Sequence, residues 1–97
     1  MNEFNDIVAG VKPLIDNVSV ENSKIHYLKH EIDEYGTKTI TLVGGLNGNG
    51  EWIDYFNGLS KAFENLKNNG YDAWLLNIDN DVIDDVFYAT VGIERNV

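Results

Sequence analysis

The first 17 residues carry apolar side chains at the spacing of an α-helix. These side chains recur at three- and four-residue intervals and so share one helical face; they are Phe4, Ile7, Val8, Val11, Leu14 and Ile15. Pro13 lies inside the pattern, lacks a backbone N–H and clashes with the carbonyl of Ala9. We therefore predict a helix that kinks or ends near residue 12, continues for one turn and stops at Asn17.

Two strand patterns follow, and a short turn joins them. Residues 24–33 are rich in Ile, His, Tyr and Leu, and residues 38–43 alternate Thr and Val with Ile and Leu. Between them, Gly36 is able to adopt a positive φ, which tight turns require. We predict a β-hairpin.

A glycine-rich segment, residues 44–50, precedes the most regular helical pattern of the chain. Apolar residues there are spaced by four, three, four and three positions; they are Trp52, Phe56, Leu59, Phe63 and Leu66. Glu51 and Asp54 fall at the start, where the helix dipole favours negative charge, and Gly70 suits the left-handed residue after the end. Residues 39–60 contain no Lys or Arg, so we interpret the glycines as a connection rather than a phosphate site.

Two further strand patterns complete the chain. Residues 71–78 place Trp74, Leu76 and Ile78 on one face, residues 79–85 form a turn, and residues 86–94 again alternate. The whole chain, residues 1–97, is then a single compact α+β domain of αββαββ order. We predict a four-stranded, mostly antiparallel sheet with both helices packed on one face. The opposite face is expected to expose polar and aromatic residues, including Tyr27, Tyr88 and Thr90.

Charge narrows the possible partners. The chain has 16 acidic and 7 basic residues, a net charge of −9, and residues 68–94 contain no Lys or Arg. Such a surface repels nucleic acid and anionic membranes and attracts basic protein surfaces. The chain has no cysteine, which excludes disulfides and thiolate sites, and its acidic N-terminus is unlike a secretory signal. We expect a cytoplasmic protein.

The aspartates after the third strand invite two chemical interpretations. Asp79 and Asp81 superficially match the Asp-x-Asp nucleophile motif of haloacid-dehalogenase-type phosphotransferases, but only 14 residues follow Ile83, too few for the remaining motifs. Calcium-binding EF-hand loops need Gly at the sixth position and Glu at the twelfth. Counted from Asp79, those positions hold Asp84 and Thr90. Neither interpretation is favoured.

The histidines and serines offer no better basis for catalysis. On a strand, His26 and His30 are expected to face the same side about 13 Å apart, too far to share an ion. No serine has a base and an orienting acid nearby in the predicted fold. We predict no catalytic residue, no metal and no cofactor.

The remaining hypothesis is that the acidic residues form an interface with another protein. Carboxylates at i and i+2 of an extended segment lie about 6.6–6.8 Å apart, and each strand of a DNA duplex presents one phosphate per roughly 3.4 Å of axis. A few carboxylates on a sheet edge could therefore occupy a groove lined by Lys and Arg, with tyrosines as anchors. The candidate partner-binding residues are Asp72, Asp79, Asp81, Asp84, Asp85, Glu51, Asp54, Tyr35 and Tyr55.

In size, acidity and lack of catalytic groups, the whole chain resembles small phage counter-defence proteins, such as anti-CRISPR and anti-restriction DNA mimics. It is also similar to immunity proteins that neutralise cationic nuclease toxins. The resemblance implies stoichiometric inhibition of a nucleic-acid-binding enzyme, partly by DNA mimicry. The alternatives are an immunity protein or a homodimeric structural or regulatory interaction domain.

Overall fold

The computed structural model describes residues 3–16, 18–20, 23–45, 52–84 and 86–96. Its elements are α1 (Glu3–Asp16), β1 (Ser19–Val20), β2 (Ser23–Ile32), β3 (Lys38–Gly45), α2 (Trp52–Asn68), β4 (Tyr71–Asp81) and β5 (Val86–Arg95). Apart from the two-residue strand β1, this is the predicted αββαββ order.

The strands form an antiparallel sheet in the order β1-β2-β3-β5-β4. Side chains of α1 and α2 join the inward residues of β2, β3 and β5 in one buried core. Both helices therefore pack on one face of the sheet, and the predicted α+β fold is confirmed. Strand β4 forms one edge of the sheet.

Helix α1 runs through Pro13 to Asp16 without interruption. The helix therefore does not end near residue 12, which was one of the two predicted alternatives, and it continues through the predicted last turn as far as Asp16. Proline removes one backbone hydrogen bond, but Val11 and Ile15, on either side of it, are fully buried. Their burial favours continuing the helix for its last turn.

The structure confirms the positive φ predicted for Gly36 and Gly70. Gly36 has a φ of 82° in the β2–β3 turn, and Gly70 has a φ of 89° directly after α2. One oxygen of Asp33 accepts hydrogen bonds from the backbone N–H groups of Tyr35 and Thr37, each at 2.9 Å. This side chain fixes the tip of the hairpin.

Helix α2 buries Leu59 and Leu66 of the predicted apolar stripe, but Tyr55 faces the sheet in place of Phe56. Its most buried residues include Tyr55, Leu59, Ala62 and Leu66, whereas Phe56 is 38% exposed. The prediction that Tyr55 reaches the surface is therefore wrong.

The physical reason lies in β3. Gly44 has no side chain, and a Cβ at that position would collide with the Tyr55 ring. The ring fills this space, stacks on Phe87 with centroids 4.9 Å apart, and donates a hydrogen bond from its hydroxyl to the Leu42 carbonyl at 3.2 Å. Burial raises the pKa of the Tyr55 phenol well above its ordinary value of 10.0.

Strands β2 and β4 each contain a β-bulge, one at Leu28 and the other at Leu75–Leu76. A bulge adds one residue to a strand and so reverses the alternation of faces beyond it. Trp74 and Ile78 consequently lie on opposite faces, contrary to the prediction that they share one.

The bulge in β2 has the same effect. His26 lies on the face away from the helices and His30 on the helix side, where its ring meets Phe4 at 5.1 Å, so they do not face the same side as predicted. Tyr27 also lies on the helix side, with Lys12 Nζ 5.0 Å from its ring centroid, and the prediction that it lies on the opposite face is wrong.

Candidate functional site

The sheet face away from the helices is the candidate site, and we call it the open face. Residues directly opposite one another in the ladders point to the same face, so the registers define its rows. Three rows cross the strands in the order β2, β3, β5 and β4: Glu31-Thr39-Gly92-Trp74, Lys29-Thr41-Thr90-Asn77 and His26-Val43-Tyr88-Asp79. Strands β5 and β4 add one pair at each end, Glu94 opposite Asp72 and Val86 opposite Asp81.

Asp72 and Asp79 share the open face because of the bulge in β4. They are seven positions apart, and in a regular strand an odd separation would place them on opposite faces. The extra residue at Leu75–Leu76 cancels that difference, so Asp72 faces Glu94 and Asp79 faces Tyr88 on the same side of the sheet. The structure therefore brings together two of the predicted carboxylates.

The carboxylates of this face are accessible to solvent. Asp72, Asp79 and Glu94 are exposed, and none of them takes part in an ion pair within the described ranges. Directly opposed like charges such as Asp72 and Glu94 destabilise a sheet by a few tenths of a kcal/mol to about 1 kcal/mol. Among the described residues, neither carboxylate has an ion-pair partner that would offset this cost.

Within the rows given above, the one lysine is Lys29, and it is already paired. Lys29 Nζ lies 3.8 Å from Glu31 on the same strand. The rows contain five carboxylates, Glu31, Asp72, Asp79, Asp81 and Glu94, against this one ammonium group. These rows are therefore strongly negative.

Asp81 has a structural task in addition to its charge. One of its oxygens accepts hydrogen bonds from the backbone N–H groups of Ile83 at 3.1 Å and Asp84 at 3.2 Å. These bonds shape the β4–β5 turn and leave Val82 and Ile83 81% and 94% exposed. Asp84 is exposed within this turn rather than on the sheet.

The middle of the open face is less polar than its margins. The Trp74 ring lies over Gly92, where a Cβ would collide with it, and it covers one end of the threonine rows. Thr39 is almost fully buried there and donates its hydroxyl to the Glu31 carbonyl at 2.9 Å. Beside it lies a depression of about 250 Å³ lined by Leu28, Lys29, Glu31, Thr41, Asp79, Tyr88 and Thr90.

Of the other predicted partner-binding residues, Tyr35 and Tyr55 do not join this face. Tyr35 is 84% exposed at the β2–β3 turn, and Tyr55 is fully buried in the core. Glu51 and Asp85 lie outside the described residues, and Asp54 lies in α2 with its side chain outside them.

Sequence reasoning missed three contributors to the face. The strand pattern predicted Trp74 on the same face as Ile78, which packs against the core, and neither Leu28 nor Glu94 is among the predicted partner-binding residues. Glu94 was recoverable, because a strand over residues 86–94 places it on the same side as Tyr88. Leu28 and Trp74 depend on the bulges, for which the sequence carries no comparable signal.

The acidic side chains of the described open face are spread along the sheet rather than gathered at one point. Within the described residues, no three His, Asp or Glu side chains converge closely enough to hold a metal ion. Asp79 instead accepts a hydrogen bond from the Asn77 side chain at 3.0 Å. The face therefore presents negative charge around aromatic and β-branched side chains.

Comparison with known proteins adds no family to this description. No family model matches the chain, and no curated protein matches it significantly. Neither described helix is long and apolar enough to cross a membrane.

Proposed function

We propose that this protein is a non-catalytic inhibitor of a nucleic-acid-binding enzyme and that it acts through the open face of its sheet. The observation that carries the proposal is the exposed set Asp72, Asp79 and Glu94, which shares one face of the sheet and has no ion-pair partner among the described residues. Such a face complements the Lys- and Arg-rich grooves that bind nucleic acid. The expected setting is the cytoplasm, where such enzymes act.

The spacing of these charges supports partial mimicry of DNA. Asp72 and Glu94 are directly opposed, which in an antiparallel pair means Cα atoms about 4.5–5.5 Å apart. Asp79 lies seven positions along the same strand, roughly 20 Å away with the bulge taken into account. That distance corresponds to about six phosphate steps along one strand of a duplex. The two charged ends could thus reach separate phosphate sites of one groove.

Anti-CRISPR or anti-restriction inhibition and toxin immunity would use this same surface, and they differ in the enzyme that is bound. A test therefore needs purified candidates from each class: a CRISPR effector, a restriction enzyme and a cationic nuclease toxin. The assay measures displacement of a fluorescent DNA duplex from each enzyme. We expect displacement from one of them, and we expect the affinity to fall about tenfold or more between roughly 50 and 200 mM salt.

Charge reversal identifies the face that binds. Asp72→Lys combined with Asp79→Lys should weaken inhibition by about tenfold or more, equivalent to at least ~1.4 kcal/mol. Asp6→Lys combined with Glu64→Lys is the matched control, because it changes the net charge equally at exposed positions of the helices. Unchanged inhibition by the first variant would exclude the open face. An equal loss in both would show that net charge alone is responsible.

A homodimeric interaction domain is the alternative, and it predicts a different measurement. Light scattering would give a mass near twice 10.9 kDa that depends on concentration. A stable dimer with no displacement of DNA from any candidate enzyme would favour this alternative over inhibition.

A further inference from the structure

Strand β4 lies at one edge of the sheet. Among the described residues, this eleven-residue strand is hydrogen-bonded to β5 alone. An edge strand presents a row of backbone N–H and C=O groups that can pair with another strand unless lysine, proline or a covering element prevents it.

The two edges of the sheet differ in how well they are protected from pairing with another strand. Strand β2 carries Lys24 and Lys29, and its start is covered by the short strand β1. Strand β4 contains neither lysine nor proline, and its consecutive residues Trp74, Leu75 and Leu76 are 39%, 46% and 46% exposed. The bulge at Leu75–Leu76 interrupts pairing at one point only and leaves a regular stretch on each side.

We propose that β4 accepts an extended, Lys- or Arg-rich segment of the partner as an additional strand of the sheet. The proposal rests on the function proposed above and specifies how the partner is held. Backbone hydrogen bonds supply affinity along the edge, and side chains of alternate residues supply specificity. Cationic side chains at those positions face Asp72 and Asp79, while the exposed apolar residues between them provide contact area.

Charge complementarity selects this occupant over a second copy of the chain. A symmetric antiparallel pairing of two β4 strands about Leu75 and Leu76 would set Asp72 of each copy opposite Asp79 of the other. Like charges directly opposed in a sheet are destabilising, and this pairing would create two such contacts. A basic strand turns the same positions into favourable pairs.

The distance between the two carboxylates sets the length of the segment. Asp72 and Asp79 are seven positions apart, so a bound strand needs at least about seven extended residues to reach both. A nine-residue peptide is therefore a sufficient probe.

Two peptides of equal charge separate strand addition from simple ionic attraction. One alternates Lys with Thr, and the other is the same peptide methylated at every backbone nitrogen. Both carry the same charge, but the methylated peptide cannot donate to a ladder in either register. We expect the Lys-Thr peptide to bind the wild-type protein about tenfold tighter or more, and to slow hydrogen exchange at the backbone amides of β4. Equal affinities, or no protection of β4, would overturn strand addition.

Charge-reversed proteins test the position of the segment. Asp72→Lys with Asp79→Lys should lose the Lys-Thr peptide and gain a Glu-Thr peptide, whereas Asp6→Lys with Glu64→Lys should retain the Lys-Thr peptide within about twofold. Far-UV circular dichroism checks that both variants fold. Retention of the Lys-Thr peptide by the first variant would exclude this edge, and a peptide-free dimer with protected β4 amides would show that a second copy occupies it.

These outcomes are distinguishable from failure of the proposed function. If an enzyme is inhibited but the two lysine peptides bind equally, the function stands and strand addition fails. If no enzyme is bound although the Lys-Thr peptide adds to β4, the edge is a peptide-binding site and the inhibitory function fails.

Discussion

The buried phenol of Tyr55 predicts how the stability of this fold depends on pH. Its hydroxyl donates to the Leu42 carbonyl at 3.2 Å, and burial raises its pKa from the ordinary value of 10.0. The raised pKa means that the folded state favours the neutral phenol. Its contribution to stability is therefore complete below about pH 10 and is lost as the pH rises from there towards the folded-state pKa.

Replacing Tyr55 by Phe separates the hydrogen bond from the titration. At neutral pH, Tyr55→Phe should lower the free energy of unfolding by about 1 kcal/mol, because one buried hydrogen bond is lost. At about pH 11, one unit above the unfolded pKa, the wild type should have lost about 1.4 kcal/mol to ionisation. Phenylalanine cannot ionise, so the difference between the two proteins should fall to about zero or change sign.

Guanidinium chloride unfolding, followed by tryptophan fluorescence at several pH values, measures this difference. Tyr27, whose pKa burial also raises, is present in both proteins, so its effect cancels. Tyr35→Phe is the control, because that side chain is 84% exposed and water reaches the phenol before and after unfolding. A stability difference between wild type and Tyr55→Phe that stays near 1 kcal/mol up to pH 11 would refute the reasoning.

Three further substitutions test the packing described above. Gly44→Ala should lower the free energy of unfolding by about 1–3 kcal/mol in a denaturant titration, because its methyl group would collide with the immobile Tyr55 ring. Gly92→Ala should lower the free energy of unfolding by less than Gly44→Ala, because the partly exposed Trp74 ring has room to move into solvent. The same movement should shift tryptophan fluorescence to the red, and an unshifted spectrum would contradict the position of Trp74 over Gly92. Asp81→Ala should cost about 1 kcal/mol and speed hydrogen exchange at the amides of Ile83 and Asp84, and unchanged exchange would show that Asp81 does not hold the turn.

Local sequence patterns were sufficient to predict much of the fold. The hairpin was predictable because alternation on both sides of Gly36 requires a turn there, and the φ of 82° agrees. The end of α2 was predictable for the same kind of reason, since a glycine directly after an amphipathic helix adopts the left-handed conformation at low cost. In both cases neighbouring residues contain all the necessary information.

The orientation of α2 was not predictable, because it depends on a distant residue. Tyr55 and Phe56 are adjacent large aromatics, and periodicity alone favoured Phe56 as the buried one. The space left by Gly44 in β3 accepts the Tyr55 ring and so decides which of them faces the sheet. That information lies eleven positions away in sequence and becomes visible only once the strand and helix are packed.

The candidate site shows most clearly why the number of acidic residues in a sequence segment does not predict which of them share a surface. Asp79, Asp81 and Asp84 are close in sequence, yet Asp81 binds the backbone of the β4–β5 turn and Asp84 lies within that turn. Asp72 is more distant and has the wrong parity for a regular strand, yet it joins Asp79 because one bulge realigns the two halves of β4. The acidic face, and any strand added along it, therefore depends on the extra residue at Leu75–Leu76 more than on the number of aspartates nearby.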